Sequence, residues 1–382
     1  MTNETDHSSP IFGYCAPAFK QVEQAFRDNF SQHNEVGACV SVVYKGEVVV
    51  DLWGGFKDKN KTKFWKKDSL VCVMSVSKAI ASLAVLKLAD DGIIDLDKPI
   101  AKYWPEFGQN GKEAITIRCM LSQLAGLPVA EAAPEGSLFE KGVMTHALEI
   151  QRPLWPPGTT PCYHSFTHGP LCQELVFRST GKSLGQYLRE DLFAPYGIEF
   201  YLGMTEDEIA RCADIIISEG VPTLDNVQDP TTLLSRAWKP MPQVDNLFQD
   251  YNFRTNEFGS GNGHSNARNL AKLFGMLSEL DDNNTKIISK GCLENAIQEQ
   301  WDAVEVMTNR HFRYSSGFML NNPCFKVGKN PRNFGHPGLG GANAFADPDA
   351  HLGFAYACNL IHPIDTTGPC ASALIDAVYR SI

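Results

Sequence analysis

Two β-branched runs, residues 36–44 and 48–53, flank the turn-forming Lys45-Gly46-Glu47, and the pattern predicts a hairpin closed by Gly54-Gly55. An amphipathic stretch at 19–29 predicts a helix ahead of it, and a Lys-rich polar connection over 57–67 follows. The strongest helical pattern spans 75–91, with Ile80, Leu83, Ala84, Leu86 and Leu88 apolar and Asp91-Gly92 as the stop. Further helices are expected at 115–124, 167–180, 183–193, 266–279, 285–299 and 370–379. Strands are expected at 317–320, 325–327, 342–346 and 352–358. Residues 130–160 read as loop, stiffened by Trp155-Pro156-Pro157-Gly158-Thr159. Residues 217–262 are the least regular stretch, and irregular stretches of that length usually form a functional wall or lid.

Strands at both chain ends around a helical middle imply an α/β (α+β) architecture. One antiparallel sheet is built from both termini and flanked by helices, with a mainly helical domain inserted. The expected division is 1–72 with 300–382 for the sheet domain and 73–299 for the helical domain, with Ser75 at the junction. The length of 382 residues suffices for a large core without disulfide or metal staples. A net charge of −10 disfavours nucleic acid and anionic membrane surfaces as partners. Eleven cysteines at wide spacing, with no C-x-x-C pair, read as reduced thiols. The polar, acidic start does not look like a signal peptide, and no apolar run is long enough to span a bilayer. A soluble, cytoplasmic protein is therefore expected.

Three short patterns carry chemistry. Ser75-Val76-Ser77-Lys78 opens the strongest helix, where residues three apart are neighbours and a hydroxyl meets an amine. Burial and the positive helix end both push Lys78 toward its neutral, basic form. About one S-x-x-K is expected by chance in a chain of this composition. A second copy, Ser179 to Lys182, reads as a helix C-terminus beside Gly181. Tyr163-His164-Ser165 follows the rigid Trp155–Thr159 stretch, and a tyrosine serves as a general base where a neighbouring cation stabilises its phenolate. His164 and His168 are four apart, yet no third ligand accompanies them, so no metal or other cofactor is expected. The glycine-dense Gly335-His336-Pro337-Gly338-Leu339-Gly340-Gly341 lets a substrate approach backbone amides, and it lacks the third glycine of a dinucleotide fingerprint.

In this order, the three patterns resemble the serine β-lactamase and penicillin-binding-protein superfamily, above all class C β-lactamases and β-lactamase-like carboxylesterases of family VIII. The resemblance spans about residues 37–380 and is supported by 91–99, 115–128 and 156–159. It implies Ser75 as nucleophile, with Lys78 and Tyr163 completing the catalytic set. Either Lys78 or Tyr163 takes the first proton, or the pair shares it. It further implies Ser165 in the hydrogen-bond network, His336 and Gly338 as motif residues, and an oxyanion hole from the Ser75 and Leu339 amides. Where lactamases usually carry lysine and asparagine, this chain has His336 and Ser165. The loss of a permanent cation tilts the expected substrate toward small neutral esters, with transfer to an alcohol or amine, or weak β-lactam or D-amino-acid peptide cleavage, as alternatives. Trp155, Trp238, Phe248, Tyr251 and Phe253 are candidate aromatic lining of the acyl pocket.

Two rivals are weighed against this reading. Gly263-His264-Ser265-Asn266-Ala267, followed by Asp347 and His351 or His362, has the order of an α/β-hydrolase triad. It lacks the hydrophobic strand that such a nucleophile turn needs, and Ser265 reads instead as a helix cap. A silent acyl-binding or structural relative would have had no need to retain Ser75, Lys78 and Tyr163 together.

Overall fold

The computed structural model describes residues 9–219, 221, 229–279, 287–363 and 366–382. Strand β1 (Ile11–Cys15) and helix α1 (Lys20–Gln32) precede the hairpin of β2 (Gly37–Tyr44) and β3 (Glu47–Gly55). Next come β4 (Val71–Cys72), α2 (Val76–Asp90), α3 (Ile117–Leu121), α4 (Val143–Ile150), α5 (His168–Thr180) and α6 (Leu184–Tyr187). The chain continues through α7 (Glu206–Arg211), β5 (Ile216–Ile217), α8 (Leu233–Trp238), α9 (Tyr251–Thr255), β6 (His264–Ser265), α10 (Ala267–Ser278) and α11 (Lys290–Ala296). It closes with β7 (Trp301–Val304), β8 (His311–Tyr314), β9 (Met319–Leu320), β10 (Phe334–Pro337), β11 (Asn343–Asp347), β12 (Leu352–Cys358), β13 (Leu360–Ile361) and α12 (Pro369–Ser381).

Nine strands form one antiparallel sheet in the order β1-β3-β2-β12-β11-β10-β9-β8-β7, so the two chain ends meet where β2 pairs with β12. Alternation along these strands sorts their side chains by size. Val40, Val42, Phe354 and Tyr356 face α1 and α12, whereas Ala344, Ala346, Ala355 and Ala357 join the core on the other side. The small residues allow α10 to lie close against β12. A Cβ at Gly353 would sit 2.1 Å from the Gly275 nitrogen and 2.5 Å from the Ala271 oxygen. Gly353→Ala is therefore expected to destabilise the fold by about 1–3 kcal/mol through overpacking. Gly291→Ala in α11, where the added carbon meets nothing within 4 Å, should be neutral or stabilising. Denaturant midpoints of the two variants measure the contrast.

Several elements depart from the sequence expectation. Helix α10 belongs by sequence position to the helical segment but packs on the sheet. The helix expected at 115–124 is only five residues long, between the Thr116 cap and Gln123 at φ +63°. Residues 325–327 form no strand, because the Asn322 side chain accepts the Cys324 and Phe325 amides and Thr367 accepts that of Lys326. Helix α4 lies within the expected 130–160 loop, and α8 and α9 within 217–262. Part of the expected 217–262 wall, residues 220 and 222–228, lies outside the described residues, as does the start of the expected 285–299 helix. All eleven cysteines are free thiols, seven of them buried. No described helix is long and apolar enough to cross a membrane.

Candidate active site

The approach to Ser75 is strained and held from behind. Val73 donates its amide to the Gly263 carbonyl, and Met74 then takes φ +50°, the left-handed region that side chains disfavour. Ser77 fixes this turn by donating to the Met74 carbonyl at 2.6 Å while its hydroxyl accepts the Gly263 amide at 2.9 Å. Ser75 consequently sits at the N-terminal end of α2 rather than inside it. The first thirteen residues of α2 are buried except Lys87, so Lys78, 1% exposed, lies in the core. Its ammonium donates to the Ser75 Oγ at 3.2 Å and the Ser260 carbonyl at 2.7 Å, and lies 4.8 Å from the centre of the Tyr163 ring. No described carboxylate pairs with it. Burial lowers its pKa from the ordinary lysine range to about 7.

Tyr163 arrives on the loop before α5. Its hydroxyl interacts with Ser75, whose oxygen also accepts from Lys78. Burial holds the phenol well above its ordinary range. The Ser75 bond opposes that rise and the Glu305 carboxylate adds to it. Glu305, fully buried in the β7–β8 turn, accepts the Tyr163 amide at 2.8 Å, the Met307 amide at 2.8 Å and the Thr308 amide at 2.6 Å. The hairpin thus fixes the backbone that carries the phenol. Sequence reasoning missed Glu305 and Ser260, because nothing local marks them: each acts on a partner more than 140 residues away.

Behind Tyr163, the His336 ring stacks at 6.0 Å and Phe312 meets it edge-on at 5.7 Å. The His336 Nδ1 faces the Pro337 carbonyl at 2.6 Å, which assigns the proton there and leaves Nε2 to accept from the Tyr314 hydroxyl at 3.0 Å. Burial, with the Lys78 charge adding to it, lowers the His336 pKa to about 3, so this imidazole is neutral. Gly338 allows β10 to touch the nucleophile's approach strand, since a Cβ there would lie 2.5 Å from the Val73 carbonyl oxygen. The Ser75 and Leu339 amides have no acceptor among the described residues and are available to an oxyanion.

Two cavities meet at Ser75. One, of about 180 Å³, is walled by Trp238, Phe248, Phe253, Phe166, Phe258 and Met241, together with Ser75, Lys78, Tyr163, Ser165 and Leu339. The other, of about 120 Å³, is walled by Ser75, Tyr163, Arg310, Phe312, Phe325, His336, Gly338 and Leu339. Of the aromatic residues expected in the wall, Trp155 and Tyr251 are not there. Tyr251 is 58% exposed: it opens α9 two residues before Phe253, and residues two apart on a helix face different sides. Trp155 packs beside Gly126 instead.

The remaining candidates are occupied with structural bonds. His164 accepts the Leu127 amide, and His168 bonds Ser82 and Gln123, so neither faces a metal. Lys182 pairs with Asp191 and Glu190, away from Ser179, whose buried hydroxyl has no partner among the described residues. Ser265 is buried and donates to the Glu199 carbonyl; the cap of α10 is its neighbour Asn266.

The profile of the Beta-lactamase family matches residues 19–378. Among proteins of known structure, a family VIII carboxylesterase superposes with a TM-score of 0.89 at 34% identity, covering 98% of this chain and 100% of that one. A penicillin-binding-protein homologue from Caulobacter crescentus also gives 0.89, at 32% identity with the same coverage. The esterase/beta-lactamase LipL of Mycobacterium tuberculosis is 28% identical over 95% of this chain and 86% of its own. Sequence motifs, sheet topology and this match across nearly the whole chain agree: the protein belongs to the Beta-lactamase family.

Proposed function

We propose that the protein is a serine hydrolase that forms an acyl-enzyme on Ser75, a carboxylesterase acting on small neutral esters. One observation carries the reading: the Ser75 oxygen accepts from an amine lowered to about pKa 7 and interacts with a phenol still holding its proton. Neutral Lys78 accepts the Ser75 proton as Oγ adds to the ester carbonyl. The resulting oxyanion is held by the Ser75 and Leu339 amides. As the carbon–oxygen bond breaks, the leaving alkoxide takes a proton from Tyr163, which Lys78 replaces. Water then attacks the acyl-enzyme, giving its proton to the same pair, and Ser75 is restored. The family relatives described as esterases support this direction. So does the neutral His336, which puts no cation at the place where lactamases usually carry one.

The second cavity favours one further reading, transfer of the acyl group to a bound alcohol or amine, because it offers space on the other side of Ser75. A substrate panel separates these. A short p-nitrophenyl ester should turn over at least 100-fold faster in kcat/KM than a chromogenic cephalosporin or a D-amino-acid amide. Added methanol should leave the ester product mainly as free acid. Methyl ester as the dominant product would establish transfer over hydrolysis, and cephalosporin turnover matching that of the ester would sink the neutral-ester assignment. No turnover of any of them, with no covalent adduct, would make the chain a silent relative.

A further inference from the structure

A second group of reactive side chains lies on the opposite face of the sheet, in the core beneath α1 and α12. Glu35 comes from the link between α1 and β2, His362 from just after β13, and Cys370 from the first turn of α12. One donor atom from each lies within 4.8 Å of the others. Glu35 is 2% exposed and Cys370 is likewise buried, while the His362 side chain is 14% exposed. The Tyr356 hydroxyl donates to one Glu35 oxygen. The other Glu35 oxygen, the His362 Nε2 and the Asn29 Oδ1 are all buried with no hydrogen-bond partner among the described residues. The Asn29 amide nitrogen reaches the Cys370 main-chain carbonyl at 3.4 Å.

Unpaired buried polar atoms are rare and costly, and two in one group call for a common partner. An ion pair between His362 and Glu35 does not answer this. Their nearest atoms are 3.9 Å apart, beyond hydrogen-bond distance. A cation among the three donors satisfies both the Glu35 oxygen and the His362 nitrogen at once. We infer that Glu35, His362 and Cys370 form a binding site for a divalent transition metal. A thiolate, an imidazole and a carboxylate are the donor set of zinc. Its tetrahedral bonds hold donor atoms roughly 3.5 Å apart, so the group closes by about 1 Å as the ion enters. The ion displaces the Cys370 proton, which burial and the Glu35 carboxylate otherwise hold on the thiol. Bound there, the metal ties the end of α1 to the start of α12. Sequence spacing does not show this site, because Glu35 lies more than 320 residues before His362 and Cys370 and meets them only in the folded chain.

Titration of the metal-free, reduced full-length protein with Co(II) tests it. One equivalent should bind with a thiolate-to-cobalt charge-transfer band, which Zn(II) then bleaches. Cys370→Ser should lose the band. Zn(II) at 100 times its dissociation constant should raise the wild-type melting midpoint by about 3 °C. It should leave His362→Gln unmoved, and that variant alters only a partly exposed side chain. Failure of Co(II) to bind stoichiometrically would overturn the proposal, as would a band that survives in Cys370→Ser. A Zn(II) shift equal in wild type and His362→Gln would also overturn it. Ester turnover at Ser75 is read separately, so loss of either activity leaves the other judgement intact.

Discussion

Ser75→Ala is expected to reduce kcat/KM for a short p-nitrophenyl ester by on the order of 10⁵-fold or more, leaving only what the amides and the pocket provide. The magnitude follows from the loss of the covalent route itself. Without the Oγ, Lys78 and Tyr163 have no serine nucleophile to activate, and the acyl-enzyme cannot form. The fold should survive. The substitution removes one oxygen at a helix end, and the Met74 turn that holds the position is secured by Ser77 and Gly263 rather than by Ser75. Melting should be unchanged or slightly raised, as is common when a strained catalytic position is simplified. An organophosphonate should label the peptide containing Ser75. Ser265→Ala should keep its rate within about threefold, because that hydroxyl is buried and donating to Glu199. Retention of a tenth of the activity in Ser75→Ala, or an adduct on any other residue, would end the acyl-enzyme assignment.

The proposed catalytic residues Ser75, Lys78 and Tyr163 were legible in the sequence because each sits in a short pattern and the three occur in a recognisable order. Their supporting residues were not. Ser260 holds Lys78 through a main-chain carbonyl, an interaction that any residue type supplies, so no side-chain pattern announces it. Glu305 acts on a backbone amide across 142 residues of sequence. The central strands β2 and β12 were readable from largely apolar stretches, and seven residues of each are buried in a row. The outer strands were not, because β7 and β8 carry Asp302, Arg313 and His311 on their open face in segments of four residues. Of the aromatic wall, Phe253 and Tyr251 show the limit: composition marks a cluster, and only the helix phase decides which ring faces inward.

The proton acceptor is decided by pH. Lys78 loses its proton near pH 7 because its site is dry, while burial keeps the Tyr163 phenol protonated well above that. If the amine is the base, kcat/KM rises with pH through a midpoint near 7 and then levels. Lys78→Met should abolish this limb and lower kcat/KM by on the order of 10³–10⁴. Tyr163→Phe should keep the limb near 7 while lowering the rate by roughly 10²-fold, since it removes proton delivery to the leaving group. A limb that persists in Lys78→Met and vanishes in Tyr163→Phe would assign the base to the phenol instead. Stability provides a readout independent of turnover. The unfolded chain keeps the lysine proton up to about pH 10.5, whereas the folded chain releases it near 7. Between those values the unfolded state binds more protons, so this group makes wild-type stability rise with pH across that window. Below pH 7 both states hold the proton, and the folded protein bears the full cost of a buried ammonium. Lys78→Met carries neither burden nor slope. The variant should therefore be more stable than wild type at pH 6, with the gap in denaturant midpoint shrinking steadily toward pH 10. A gap independent of pH would mean that Lys78 holds an ordinary, charged amine, and the acylation step would need a different base.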